Sequence, residues 1–336
     1  MVRIADVAKL ANVSTATVSR VLSNTGKVKK ETTEKVLEAI KQLNYQPNIL
    51  ARQLRTLETK TILVVVPDIS NPFFSKVLRG IEEVADENGY QVLLGDTINK
   101  PEHEIAFLDI LRQKKADGMI LLTARSNREF LEQLAKEYPI VLACEYIEGA
   151  EIPTVSIDNI SSARKITEHL IQLNHERIAT ITGPLHVVLG RDRLKGFQQA
   201  MKQNGLQIEP CLVQEGDFTL ESGCNQMLKL LALENPPTAV FAANDEMAMG
   251  AIKTIKSKGL NVPNDIAVVG FDNIKFASIF EPALTTISQP TFEIGEKAID
   301  LLISLINNTP LEKEQYILED QLIVRDSCGK CNTVDS

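Results

Sequence analysis

A chain of 336 residues is long enough for two or three domains, and its 44% hydrophobic and 24% charged residues are an ordinary globular balance. No apolar run approaches the ~20 residues of a membrane-crossing helix. The N-terminus also lacks a charged region followed by an apolar core and a small-residue cleavage site, so a cytoplasmic location is expected. The net charge of -8 argues against a nucleic-acid partner only until it is resolved along the chain. Residues 1–56 hold ten Lys/Arg and four Asp/Glu, whereas the remainder holds 26 and 40. That asymmetry predicts a phosphate-facing module joined to an acidic body. Five scattered cysteines (144, 211, 224, 328 and 331) suit a reducing compartment. Cys328-Gly-Lys-Cys331 is a CxxC without a second pair or a His cluster, so it reads as polar tail; no metal or cofactor is expected.

Ile4, Val7, Ala8 and Ala11 share one face of a short helix. Val13, Val18, Val21 and Leu22 do the same for a second helix beyond a turn at Asn12. Its other side carries Ser14, Thr15, Ala16, Thr17 and Arg20, small or hydrogen-bonding side chains that let a partner approach. Two short helices joined by a turn make a helix-turn-helix, whose second helix enters the DNA major groove. A third helix, from about 30 to 44, supplies Val36, Leu37, Ile40 and Leu43 to close a small core. Any small three-helix domain shows such faces, so the pattern alone leaves a purely structural reading open.

Residues 3–55 resemble the headpiece of the LacI/GalR family of bacterial transcription regulators. The resemblance is carried by Ile4-Ala5-Asp6-Val7-Ala8, by the run from Val13 to Leu22, by Asn44-Tyr45-Gln46-Pro47-Asn48 and by Ala51-Arg52-Gln53-Leu54-Arg55. It extends over nearly the whole chain, and is most similar to the cytidine repressor branch through Thr61–Asp68, Gly270–Ile274 and Ile287–Pro290. It implies a dimeric repressor on a palindromic operator, contacted through Ser14, Thr15, Ala16, Thr17, Arg20, Asn48, Ala51, Leu54 and Arg55. The segment from Asn48 to Arg55 is too short to persist as a helix alone. A simple flexible linker is the alternative reading. The resemblance implies a hinge helix that docks in the minor groove, with Leu54 wedged between base pairs.

From Thr61 apolar runs alternate with amphipathic helices. Strands are expected at 62–66, 91–95, 118–122, 140–143, 178–182, 212–215, 239–242 and 267–270. Helices are expected at 73–88, 102–113, 161–173, 191–204, 221–231, 246–258 and 292–307. The fold class is α/β, with parallel sheets covered on both faces and a rhythm that restarts near Asp158, giving two lobes. The family fold, resembling periplasmic sugar-binding proteins, interleaves the lobes. The expected domains are a headpiece (1–47), a hinge and linker (48–57) and a two-lobed effector-binding and dimerisation body (58–336). Lobe one takes about 61–159 plus 290–320, and lobe two about 160–289 plus 321–327.

Enzyme motifs are absent: there is no GxSxG, GxxxxGK[ST] or HExxH, and the four His residues are dispersed, so no catalytic activity is expected. Ligand groups are expected where strands end. Phe73 and Phe74 follow the first strand, and at least one of them is expected to face a planar ligand rather than pack inward. Arg193, Asn244 and Asp272 follow later strands; a guanidinium, an amide and a carboxylate suit vicinal hydroxyls, which both donate and accept. Arg193 and Asp272 match the family's hydroxyl-binding positions. Asp245 reads either as a ligand group or as the cap of a helix starting at Glu246. Phe218 matches a base-stacking aromatic of a purine-binding relative. At Ala143-Cys144-Glu145-Tyr146 many relatives place an Asp, and Glu145 is the candidate substitute. The expected effector is a nucleoside such as cytidine; a sugar ligand and a stand-alone binding protein are the alternatives.

Overall fold

In the first turn of α1 (Ile4–Leu10), the Arg3 backbone amide donates to the Asp6 carboxylate at 2.8 Å, occupying one of the donors a helix start leaves unpaired. The structure is a computed structural model describing residues 2–22, 28–45 and 58–329. It divides into two units, Met1–Thr59 and Lys60–Ser336. The expected hinge residues Asn48, Ala51, Leu54 and Arg55 lie outside the described residues, as does Cys331.

In the first unit α1 ends where Asn12 turns into the left-handed region (φ 52°), a conformation Asn tolerates better than most residues. Ser14 Oγ then accepts from the Thr17 amide at 3.1 Å and caps α2 (Thr15–Leu22). With α3 (Lys30–Gln42), these helices bury Val7, Ala8, Ala11, Val18, Val36 and Ala39. Ile40 and Leu43 pack around that core, but Leu37 does not: it is 53% exposed. Val36, Ala39, Ile40 and Leu43 already fill the inward stripe, and Leu37 falls about 100° round the helix from Val36.

The second unit begins with β1 (Thr61–Val66), whose last five residues are all buried. Such a run needs cover on both faces, and β1 pairs in parallel with β2 (Gln91–Asp96) and β3 (Gly118–Leu121). With β4 (Ile140–Ala143), β5 (Thr154–Ile157) and β11 (Gln315–Leu318) they form a six-stranded sheet in the order β11-β5-β4-β3-β1-β2. Four more strands, β6 (Ile178–Thr182), β7 (Val213–Glu215), β8 (Ala239–Ala242) and β9 (Ala267–Val269), form a second parallel sheet in the order β7-β6-β8-β9. The sheets are the cores of two lobes.

Chain crossings tie the lobes together. After β10 (Thr286–Ser288) the chain returns to the first sheet through α11 (Thr291–Ile306) and β11, then goes back so that β12 (Gln321–Ile323) pairs antiparallel with β10. α11 lies against α4 (Phe73–Glu87) with almost no space between backbones. A Cβ on Gly80 would stand 2.2 Å from the Phe292 carbonyl oxygen, and one on Gly295 2.2 Å from that of Val77. The other helices are α5 (Pro101–Arg112), α6 (Arg128–Glu137), α7 (Asn159–Gln172), α8 (Val188–Gln203), α9 (Leu220–Leu231) and α10 (Asp245–Ser257). Among the described residues no helix is long and apolar enough to cross a membrane.

The sequence does not announce β5, β10, β11 or α6, whereas β12 falls in the 321–327 segment that the family resemblance returns to the second lobe. Thr154-Val-Ser-Ile157 and Thr286-Ile-Ser288 are short and half polar. Two of their hydroxyls are not facing water but bonded inside: Thr154 to the Ile152 carbonyl and Thr286 to Asp245.

Candidate nucleic-acid interface and ligand cleft

On α2 the apolar side is spent on the headpiece core, where Val18 is fully buried. Ser14, Thr15, Ala16 and Arg20 remain exposed on the other side. Thr17 is half-buried, and its hydroxyl lies 2.9 Å from that of Ser14. Ser14 and Thr17 therefore shape the start of the helix, while Thr15, Ala16 and Arg20 offer the face a groove would meet. Thr15 and Ala16 stand in the first turn, where a recognition helix contacts base edges.

In the body, Arg193 on the helix after β6 and Asp272 just beyond β9 are brought together. Arg193 on α8 is buried and held by three neighbours. Its Nε donates to Asn159 Oδ1 at 3.0 Å, Nη1 donates to the Ala243 carbonyl, and Nη2 lies 3.5 Å from Asp272 Oδ1. The guanidinium also stacks over the Phe271 ring, 3.7 Å from its centroid. Asp272 takes a left-handed backbone (φ 112°) that turns its carboxylate towards Arg193, and Gln289 Nε2 donates to Oδ1 at 2.7 Å. Burial pushes the Asp272 carboxyl up to about 6, with Arg193 and Gln289 pulling against that rise. Burial acts on Arg193 in the opposite sense and lowers it, against the pull of Asp272.

Other candidates have different duties. Phe73 and Phe74 are both buried, edge to face with centroids 5.1 Å apart. They open α4 and pack its first turn into the core, although Phe73 also lines a cavity described below. Asn244, not Asp245, caps α10: its Oδ1 accepts from the Met247 amide at 2.9 Å, and its Nδ2 donates to the Phe218 carbonyl at 2.9 Å. Asp245 is wholly buried, accepting from Thr286 Oγ1 at 2.6 Å and the Ile274 amide at 2.8 Å, so it holds the loop that carries Asp272. Phe218 adopts φ 70° and lays its ring against Gly183, where a Cβ would stand 2.1 Å from Cζ. Glu145 is buried, ion-paired to Arg125 at 2.8 Å through Oε1, while Oε2 has no hydrogen-bond partner among the described residues. Burial raises its carboxyl, against the nearby Arg125. Cys144 stands beside it with φ 68°, its thiol pushed up by burial.

A cavity of about 410 Å³ opens between the lobes. Pro72, Phe73, Ser75, Lys76 and Thr291 line it from one side, and Asp272, Asn273, Ile274, Lys275, Ser278 and Arg325 from the other. Two further contacts went unforeseen. Tyr146, beyond β4 of the first lobe, donates to Asp192 on α8 of the second at 2.8 Å. Asn159 and Gln289 hold the Arg193–Asp272 pair; both follow strands, β5 and β10, and the strand-end rule that found Asp272 would have found them had those strands been recognised.

A helix-turn-helix headpiece joined to a two-lobed parallel α/β body with a polar cleft defines a DNA-binding regulator class, and comparison with known proteins gives the family. Residues 3–48 match the model for bacterial regulatory proteins of the lacI family, and residues 167–328 match a periplasmic binding protein-like domain. The chain belongs to the lacI family of transcription regulators. It is 41% identical over 323 residues to the HTH-type transcriptional repressor CytR of Escherichia coli (strain K12), covering 96% of this chain and 95% of that protein. It is 37% identical to catabolite control protein A of Priestia megaterium, covering 97% and 99%. Among solved structures it is similar to the lac repressor dimer bound to operator and the anti-inducer ONPF, with a TM-score of 0.89, 30% identity and coverage of 98% and 99%. A transcriptional regulator CelR–cellobiose complex matches with a TM-score of 0.75 at 33% identity, covering 97% and 100%.

Proposed function

We propose that this chain is a repressor that binds a palindromic operator as a dimer and is governed by a small ligand held through hydroxyl groups, a nucleoside such as cytidine. The observation that carries the DNA reading is the division of α2: Val18 closes the core while Thr15, Ala16 and Arg20 face solvent. The headpiece carries the positive charge that phosphate contacts require, and the body carries the negative balance. The lac repressor relative is a dimer on operator, which supports the same assembly here.

The ligand reading rests on Arg193, Asp272 and Gln289, a donor–acceptor set suited to paired hydroxyls. The half-buried ring of Phe218, turned by its left-handed backbone, supports a planar base over a bare sugar. A sugar is the second reading, favoured by the cellobiose-bound relative. The role is binding and not catalysis. The Asp272 and Asp245 carboxylates are held by Arg193, Gln289, Thr286 and a backbone amide, and the Cys144 thiol is raised by burial and so protonated, a poor nucleophile.

A gel shift of the full chain on its own upstream region, with and without cytidine, adenosine and ribose, tests both halves. Retardation of that duplex over a shuffled one, altered by one of these compounds, is expected. Equal retardation of both duplexes contradicts the operator reading, and indifference to all three compounds contradicts the ligand reading.

A further inference from the structure

The cavity between the lobes has a charge that runs against the rest of the body. Three cations line it, Lys76 from the first lobe and Lys275 and Arg325 from the second, against one carboxylate, Asp272. Asp272 is already answered by Arg193 and Gln289. Among the described residues, neither Lys76 nor Lys275 has a carboxylate within ion-pair distance. Arg325 is held in place: Nη1 donates to the Leu284 carbonyl at 2.6 Å, Nη2 to Asn273 Oδ1 at 2.8 Å, and its backbone amide to Thr285 Oγ1 at 2.8 Å. In a segment with 26 basic and 40 acidic residues, such a cluster around a cavity between two lobes calls for a negative occupant.

We propose that this cavity receives a phosphate monoester carried by the ligand, held between Lys76 on one side and Lys275 and Arg325 on the other. The proposal rests on the reading of the cleft as the ligand site, and it deepens that reading by naming the ligand as phosphorylated. A phosphate monoester carries between one and two negative charges near neutral pH, which matches several cations better than a single carboxylate does. Lysine meets phosphate as a mobile point charge, while the fixed guanidinium supplies direction. Ser75 and Ser278 line the same cavity, but their hydroxyls donate to the Pro72 and Lys275 carbonyls, so the three cations carry the recognition. A volume of about 410 Å³ suits a pentose phosphate or nucleoside monophosphate. Because the cations come from both lobes, the anion is held best when the lobes are closed on it, so the phosphorylated ligand favours the closed arrangement over the open one.

The test is thermal stability of the full chain at constant ionic strength, for wild type and the Lys76→Ala/Lys275→Ala double variant. The probes are ribose against ribose 5-phosphate, cytidine against cytidine 5′-monophosphate, and inorganic phosphate. In wild type a phosphorylated probe should bind roughly tenfold tighter than its neutral parent, a gain lost in the double variant. The basic headpiece also attracts phosphate, and comparison with the double variant subtracts that share. The proposal stands if any phosphate-bearing probe stabilises wild type more than the double variant, and it is overturned if none does. The neutral parents report separately: if they bind without a lysine-dependent gain from phosphate, the hydroxyl cleft survives and the anion site falls. Lysine-dependent binding of inorganic phosphate with no binding of either parent keeps the anion site and removes the hydroxyl cleft.

Discussion

Arg193 and Asp272 illustrate what a buried opposite pair demands of its neighbours. Each alone would be costly away from water, and their separation of 3.5 Å leaves Asn159, Gln289 and the Ala243 carbonyl to satisfy the remaining polar groups. Arg193→Ala strands the Asp272 carboxylate in a buried site, so a loss of about 3–5 kcal/mol in unfolding free energy is expected by denaturant titration. Asp272→Asn keeps the shape and should cost less. The same pair sets a pH dependence. The folded Asp272 carboxyl titrates near 6, above its ordinary range, so the native state holds its proton more tightly than the unfolded chain. The stability it contributes is present below the ordinary carboxylate range and is lost as pH rises through about 6. Glu246, raised to about 7 first by burial and then by Asp68, adds the upper part of the window. Melting temperature measured against pH should therefore fall more steeply between about pH 4 and 6 in wild type than in Asp272→Asn; parallel curves would assign the slope elsewhere. Asp272 was legible because it follows an apolar run; Arg193, in the second turn of α8, was reached through its match to the family's hydroxyl-binding positions. Sequence alone did not foresee that Phe73 and Phe74 are both buried at the start of α4 while Phe73 also lines the cavity, since nothing local to two adjacent aromatics tells a helix start facing the core from one facing a cleft. Asn244 was singled out as a ligand group without its capping of α10 being foreseen, because a cap and a ligand group use the same side-chain oxygen.

Helices and strands were legible where burial is continuous, as in Ile62–Val66, and illegible where polar side chains are satisfied inside, as in Thr154–Ile157 and Thr286–Ser288. Helix starts were read late for the same kind of reason: α7 begins at Asn159, where Asp158 accepts from the amides of Ile160 and Ser161, before the apolar rhythm is established. The α4–α11 crossing was invisible, because it depends on two glycines more than 200 residues apart in sequence. Gly80→Ala or Gly295→Ala forces a methyl into a backbone carbonyl, and either should cost about 1–3 kcal/mol by denaturant titration. An unchanged stability would mean that the two helices separate easily. The Tyr146–Asp192 bond joins the lobes across the cleft. Tyr146→Phe removes about 0.5–1.5 kcal/mol of net hydrogen bonding, so calorimetry should find ligand affinity shifted a few-fold if the bond is made in one lobe arrangement only. Identical affinity would show that it does not bias closure. On α2, exchanging Thr15 and Ala16 should change which operator half-site is preferred while nonspecific affinity stays nearly constant. Uniform weakening on every duplex would remove them from the reading face.

The whole chain separates two electrostatic roles: a basic headpiece for DNA and an acidic body whose inter-lobe cavity is lined with cations. A regulator of this design works by linkage, since a ligand that favours one arrangement of the lobes alters DNA affinity by as much as DNA alters ligand affinity. The sequence carried the division into modules through its charge and its α2 face, but not the sign of that coupling, which depends on the free energies of two arrangements rather than on any residue type. The most direct measurement is fluorescence anisotropy of the full chain on a labelled duplex from its own upstream region, against a shuffled duplex of the same length and at one salt concentration. Binding at least roughly a thousandfold tighter to the upstream duplex is predicted, as is a shift in that affinity on adding a compound that raises the melting temperature of the DNA-free protein. Equal affinity for the two duplexes, or an affinity for the upstream duplex that no stabilising compound changes, would contradict the account.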